Sequence, residues 1–179
     1  MNFLPVMPDP LHPALVHFPI VLILLGTGLS ILAVFWRKGY VPAFAAVLMV
    51  MGALGAWAAV ASGKADGGLV ENTSAAVGTL LDAHEMWAER TLTAAAVAAV
   101  IAVGSVALLR RFPRAARGVA VAAAFAAMVA AWTVYETGHR GGALVYQHGA
   151  GVNTTSATTV LETSAVAQSS ESLKERDRD

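Results

Sequence analysis

The chain has 179 residues, 56% hydrophobic and 13% charged, where ordinary soluble domains carry about 25% charged residues. Twelve Lys+Arg balance twelve Asp+Glu, so the net charge of zero implies no bulk basic surface for nucleic acid. A mean hydropathy of +0.61 is hard to hide in a soluble fold this small, and the lack of cysteine removes disulfides, thiolate metal sites, iron–sulfur clusters and c-type haem.

The first uncharged run, 14–36, is preceded by Leu11-His12-Pro13 and contains His17-Phe18-Pro19. Pro13 suits a first helical turn. Pro19 removes one amide and frees the carbonyl of Leu15, close to where His17 projects. An imidazole inside an uncharged run is costly unless bonded or ligated, so His17 is a candidate site residue. His12, five positions back, lies about 140° round an ideal helix, so the two are not expected to chelate one ion from one face. No basic stretch precedes this span and Arg37-Lys38 follows it, so it is expected to stay as an anchor rather than act as a cleaved signal.

Three further uncharged runs follow: 41–63, 91–109 and 118–135. Each of the four is near the ~20 residues that cross a ~30 Å hydrocarbon core at ~1.5 Å per residue. Helices satisfy every backbone amide in lipid, and no run shows the polar face of a buried soluble helix. Their small residues (Gly26, Gly28, Gly52, Gly55 and many alanines) suit close helix packing, and they leave room for a flat cofactor as an alternative use. Arg37 and Lys38 join the first two spans, and Arg110, Arg111, Arg114 and Arg117 join the last two, with no acid among them. That asymmetry predicts cytoplasmic loops, both termini extracytoplasmic, and an acidic extracytoplasmic segment 64–90.

In that segment Leu81-Asp82-Ala83-His84-Glu85-Met86-Trp87 precedes the third span. Asp82 is expected to cap a helix on which His84, Trp87, Ala88 and Thr91 share a face. Glu85 and Glu89 are placed to orient an imidazole of a neighbouring helix, and Lys64, Arg90 and Arg140 to supply counter-charge to an anionic group. Trp57, Trp87 and Trp132 read first as an interfacial belt. After the fourth span, Gly141, Gly142, Gly149 and Gly151 bracket Leu144-Val145-Tyr146, which predicts a short turn-rich cap over 141–152. From Asn153 the Ser/Thr-rich, charged tail reads as flexible. The expected fold is all-α: a four-transmembrane-helix domain over 1–140, a Gly-rich cap over 141–152 and a tail over 153–179.

All five histidines (His12, His17, His84, His139 and His148) fall on the expected extracytoplasmic side. His17 and His84, from different helices, are the expected ligand pair, as when a bundle presents two axial nitrogens to haem. His12, Arg90 and Arg140 are further candidates for holding a cofactor, and His139 and His148 for a metal.

The start Leu-His-Pro-x-x-x-x-His-Phe-Pro, the second helix ending Ala61-Ser62-Gly63 with Asp66, and His84 resemble the domain-of-unknown-function 2231 family of predicted bacterial membrane proteins. The likeness spans about 11–135, and the glycine-rich stretch to Val152 looks like an extension found in some members. The resemblance implies a four-helix module beside respiratory or periplasmic oxidoreductases in the bacterial inner membrane, with suspected b-type haem.

Three readings stay open. One is a haem b electron-transfer module between quinol and a periplasmic cytochrome or oxidoreductase. Another is a copper- or zinc-binding membrane protein. The third is a non-catalytic anchor subunit of a larger complex. A lone enzyme has least support, since no nucleophile elbow or phosphate loop is present; Glu136 alone is placed to relay a proton. The bilayer itself is the one partner that every reading shares.

Overall fold

The computed structural model describes residues 11–36, 40–67 and 74–149. Arg37, Lys38, residues 150–152 of the expected cap and the tail 153–179 lie outside the described residues. All regular structure among the described residues is helical: α1 His12–Leu15, α2 His17–Phe35, α3 Val41–Gly67, α4 Ala75–Leu108 and α5 Pro113–His148. The turn α1 and helix α2 form one span, His12–Phe35, interrupted at Val16. The break falls where Pro19 has no amide to give to Leu15.

Four candidate membrane spans result. Each long helix packs on the next in the chain, and α5 closes the ring against α2. The interior is made of small residues: Ala95, Ala98, Ala99 and Ala102 of α4 face Ala120, Ala123, Ala127 and Ala130 of α5, all nearly inaccessible. The three- and four-residue spacing keeps each set on one helix face. Large apolar side chains point the other way, with Phe35 80%, Val100 71% and Phe125 66% exposed. A soluble bundle reverses this arrangement; in lipid there is no gain from hiding Phe, and close backbone packing holds the helices instead.

Two larger side chains lock α2 to α3. Met49 and Ile23 are fully buried, Met49 sits against Gly26, and Ile23 sits against Gly52; a Cβ at either glycine would come within 2.8 Å of the facing side chain. Met49→Ala is expected to cost about 2–5 kcal/mol, measured as a fall in melting temperature in detergent. Thr27 adds polar glue, its Oγ1 lying 2.7 Å from Ile23 O and 3.0 Å from Ala127 O across on α5.

The two last helices outrun the membrane. At ~1.5 Å per residue, α4 and α5 are each about 50 Å long against a ~30 Å core. The excess lies beyond the charge-free spans, in residues 75–90 of α4 and 136–148 of α5. Two sequence expectations are corrected here. Helix α4 starts at Ala75, capped by Ser74, whose Oγ accepts from Val77 N at 3.3 Å; Asp82 lies well inside the helix and caps nothing. Residues 141–148, read as a turn-rich cap, continue α5 as helix to His148, and the chain leaves it through Gly149 at φ +63°. Packing against α4 overrides the turn preference of Gly141 and Gly142, and the left-handed exit suits glycine.

Candidate functional site

At the end of the bundle that holds Lys64, Asp66 and Arg90, imidazoles from two helices meet. The rings of His12 (α1) and His84 (α4) have centroids 6.2 Å apart and planes at 86°. Each is held by the same device. His12 Nδ1 lies 2.9 Å from Ala59 O on α3 and 3.2 Å from Ser62 Oγ; His84 Nδ1 lies 3.0 Å from Thr137 O on α5. A carbonyl only accepts, so Nδ1 carries a proton in both rings, and Nε2 is the nitrogen left over for another partner. Among the described residues, neither Nε2 makes a hydrogen bond.

The carbonyls are reachable because of glycine. Four residues beyond Ala59 is Gly63, and four beyond Thr137 is Gly141. A Cβ at Gly63 would lie 3.0 Å from His12 Cε1, and one at Gly141 would lie 3.0 Å from His84 Cε1. Each imidazole thus lies against a bare patch of helix, a cradle that any side chain would fill. Secondary bonds stiffen both cradles. Ser62 Oγ donates to Ala59 O at 3.0 Å. Thr137 Oγ1 donates to Thr133 O at 2.8 Å and meets Thr91 Oγ1 at 2.9 Å, tying α5 to α4 just below His84.

Asp66 fixes the start of the chain's first turn from a different helix. Its Oδ2 accepts the His12 backbone N–H at 3.0 Å, an N-cap supplied by α3. Asp66→Ala is expected to cost about 1 kcal/mol and to speed hydrogen exchange in 12–15 while leaving mid-α3 unchanged; Asp66→Asn should retain most of the protection.

Cations surround Trp87, one turn after His84. The guanidinium carbons of Arg90 and Arg140 lie 4.8 Å and 4.7 Å from its ring centroid, a cation–π arrangement. Arg140 is further held by the carboxylate and the carbonyl of Glu136. Lys64 and Glu89, both about half exposed, pair at 2.6 Å between α3 and α4. Glu85 and Glu89, expected to orient a neighbouring imidazole, are not the groups on either ring; backbone carbonyls take that role.

The remaining histidines lie elsewhere. His17 is exposed on the lipid side of α2 and makes no hydrogen bond or ring contact among the described residues. The ring that comes to His84 from the first span is therefore His12, one turn higher. His139 is exposed and stacks on Tyr135 at 6.2 Å, which in turn lies 5.6 Å from Trp132. It is about 200° round the helix from Thr137, on the opposite face from His84. His148 is exposed at the last position of α5, about 10 Å along the axis beyond Gly141. No group of three His, Asp or Glu gathers among the described residues to hold a metal.

The arrangement of His12, Ser62-Gly63, Asp66 and His84 coincides with the stretch recognised as a family: a family model described as predicted membrane protein (DUF2231) matches residues 8–154. The chain belongs to the DUF2231 family. No curated protein and no solved structure matches it. The matched region of this DUF2231 chain contains all four spans and both histidine cradles, and ends just past the glycine that terminates α5. Sequence reasoning missed Gly63 and Gly141 as imidazole seats. The signal was present in the spacing of glycine four residues after a carbonyl, but it has meaning only once the facing helix is known.

Proposed function

We propose that this DUF2231 protein is a transmembrane electron-transfer module in which His12 and His84 hold one b-type haem. The observation that carries the reading is the pair of imidazoles, from separate helices, each with Nδ1–H given to a helix carbonyl. Orienting a ligand histidine through its second nitrogen is the usual supporting interaction at metal sites. The two rings lie 6.2 Å apart, centroid to centroid, within reach of one shared ligand. The donor set favours haem over a bare ion: zinc and copper sites normally call on three or four protein ligands, whereas haem iron asks the protein only for axial ones.

When bound, haem supplies one-electron transfer at a potential set by its ligands and surroundings. The chain's own residues bind and orient. His12 and His84 would hold the haem iron through their ring nitrogens, Gly63 and Gly141 would seat those rings, and Arg140 and Arg90 would offer positive charge to its carboxylates. The arginines at 110, 111, 114 and 117, unaccompanied by acid, support a reading in which the opposite end of the bundle faces the cytoplasm across a bacterial inner membrane. The histidine end then faces the periplasm, where the projecting ends of α4 and α5 offer a surface to a cytochrome or oxidoreductase, with quinol in the bilayer as the other redox partner.

The test is the visible spectrum of protein purified in mild detergent, with metal analysis on the same sample. A sharp α band on dithionite reduction, at about one haem per chain, is the expected result. A colourless protein carrying copper or zinc overturns it in favour of a bare metal site. A colourless, metal-free protein overturns it in favour of an anchor subunit, in which the edge-to-face histidines are a structural joint between α1 and α4.

A further inference from the structure

The hydroxyls of the membrane helices follow one habit, with two exceptions. Thr27, Ser62, Thr79, Thr91, Thr93, Thr133 and Thr137 each donate to a carbonyl three or four residues back in their own helix. That is how Ser and Thr satisfy themselves where no solvent is at hand. Ser105 (α4) instead reaches across to Ala116 O of α5, at 3.2 Å. Ser30 (α2) is 3% exposed, and its Oγ has no hydrogen-bond partner among the described residues.

The two exceptions share a cavity. Ser30, Ser105, Pro42 and five alanines from the four long helices line a space of about 10 Å³ in the half of the bundle away from the histidines. A single water needs about 10–15 Å³ measured this way and at least two polar partners. An orphaned hydroxyl in hydrocarbon carries the desolvation cost of a missing hydrogen bond, which a water there removes. The space is too small for an acyl chain, and two neutral hydroxyls without a carboxylate make a poor seat for a cation.

We infer that one water is bound between Ser30 and Ser105, donating to Ser105 Oγ, whose own hydrogen goes to Ala116 O, and accepting from Ser30, so that it joins α2 to α4. It lies at the other end of the molecule from the histidine pair and does not depend on what that pair holds. Among the residues that line the space, the two serines alone carry polar side chains, so they are its side-chain hydrogen-bonding groups.

The sign of a stability change tests the inference. With water bound, Ser30→Ala removes one of its anchors and is expected to lower the melting temperature in detergent by roughly 2–6 °C, with Ser105→Ala acting in the same direction. With no water, Ser30→Ala merely deletes an unsatisfied hydroxyl, and the melting temperature holds or rises; that result overturns the inference. Should either variant fail to fold, the wild-type protein decides, in a density map fine enough to show ordered solvent. A peak within hydrogen-bond reach of both Oγ atoms supports the site, and an empty or lipid-filled gap refutes it.

Discussion

His12→Ala and His84→Ala are each expected to abolish the reduced α band that the proposed haem would give, while His17→Ala and His148→Ala are expected to leave it in place. The first pair removes a ring from the 6.2 Å contact; the second pair changes exposed residues that make no contact with it. A remaining imidazole cannot by itself give a low-spin, two-imidazole iron, so the single variants should lose the band rather than weaken it. Haem content per chain, measured beside far-UV dichroism, separates ligand loss from unfolding. Loss of the band in His17→Ala with retention in His12→Ala would overturn the pairing in the proposed function.

Adding one methyl group at either cradle should come close to removing the histidine. Gly63→Ala and Gly141→Ala place a Cβ 3.0 Å from the facing Cε1, inside the contact distance, so the ring must shift by a few tenths of an ångström against its carbonyl. Disrupting the groups that orient metal-ligating histidines typically costs 10–100-fold in affinity, and a loss of that size in haem retention is expected for both variants. Gly104→Ala, which meets nothing within 4 Å, is the matched control. Helix content should stay constant throughout, since alanine is the better helix former by about 1 kcal/mol. Unchanged cofactor retention in both cradle variants would show that the glycines do not position the rings.

Much of the fold is legible in the chain because lipid imposes a simple code. Uncharged runs of the right length had to be helices, and each of the four expected spans matches one of four observed helices, running past its end by at most one residue. The ends of those helices were less legible. Ser74 and the stretch 141–148 lie where helix α4 and helix α5 support each other beyond the apolar runs, and local turn preference there loses to a long antiparallel contact. The site was half legible. That imidazoles from the first and third spans meet could be anticipated from their common side, but the choice of His12 over His17 could not. On an unbroken helix either could face inward. The break at Val16, set by Pro19, and the Asp66 cap reaching over from α3 together turn His12 toward His84.

The sequence by itself therefore determined the number of spans, their helical form, their small-residue interior and the gathering of histidines at one end. These follow from hydrophobicity and length, which act residue by residue. Only the tertiary structure decided which imidazoles face each other, that Gly63 and Gly141 are their seats, and that Ser30 finds no partner among the described residues. Each of these depends on the rotation and depth of one helix against another, and those are fixed by interlocking contacts such as Met49 on Gly26 and Ile23 on Gly52, a property of pairs of surfaces that no single stretch of chain contains.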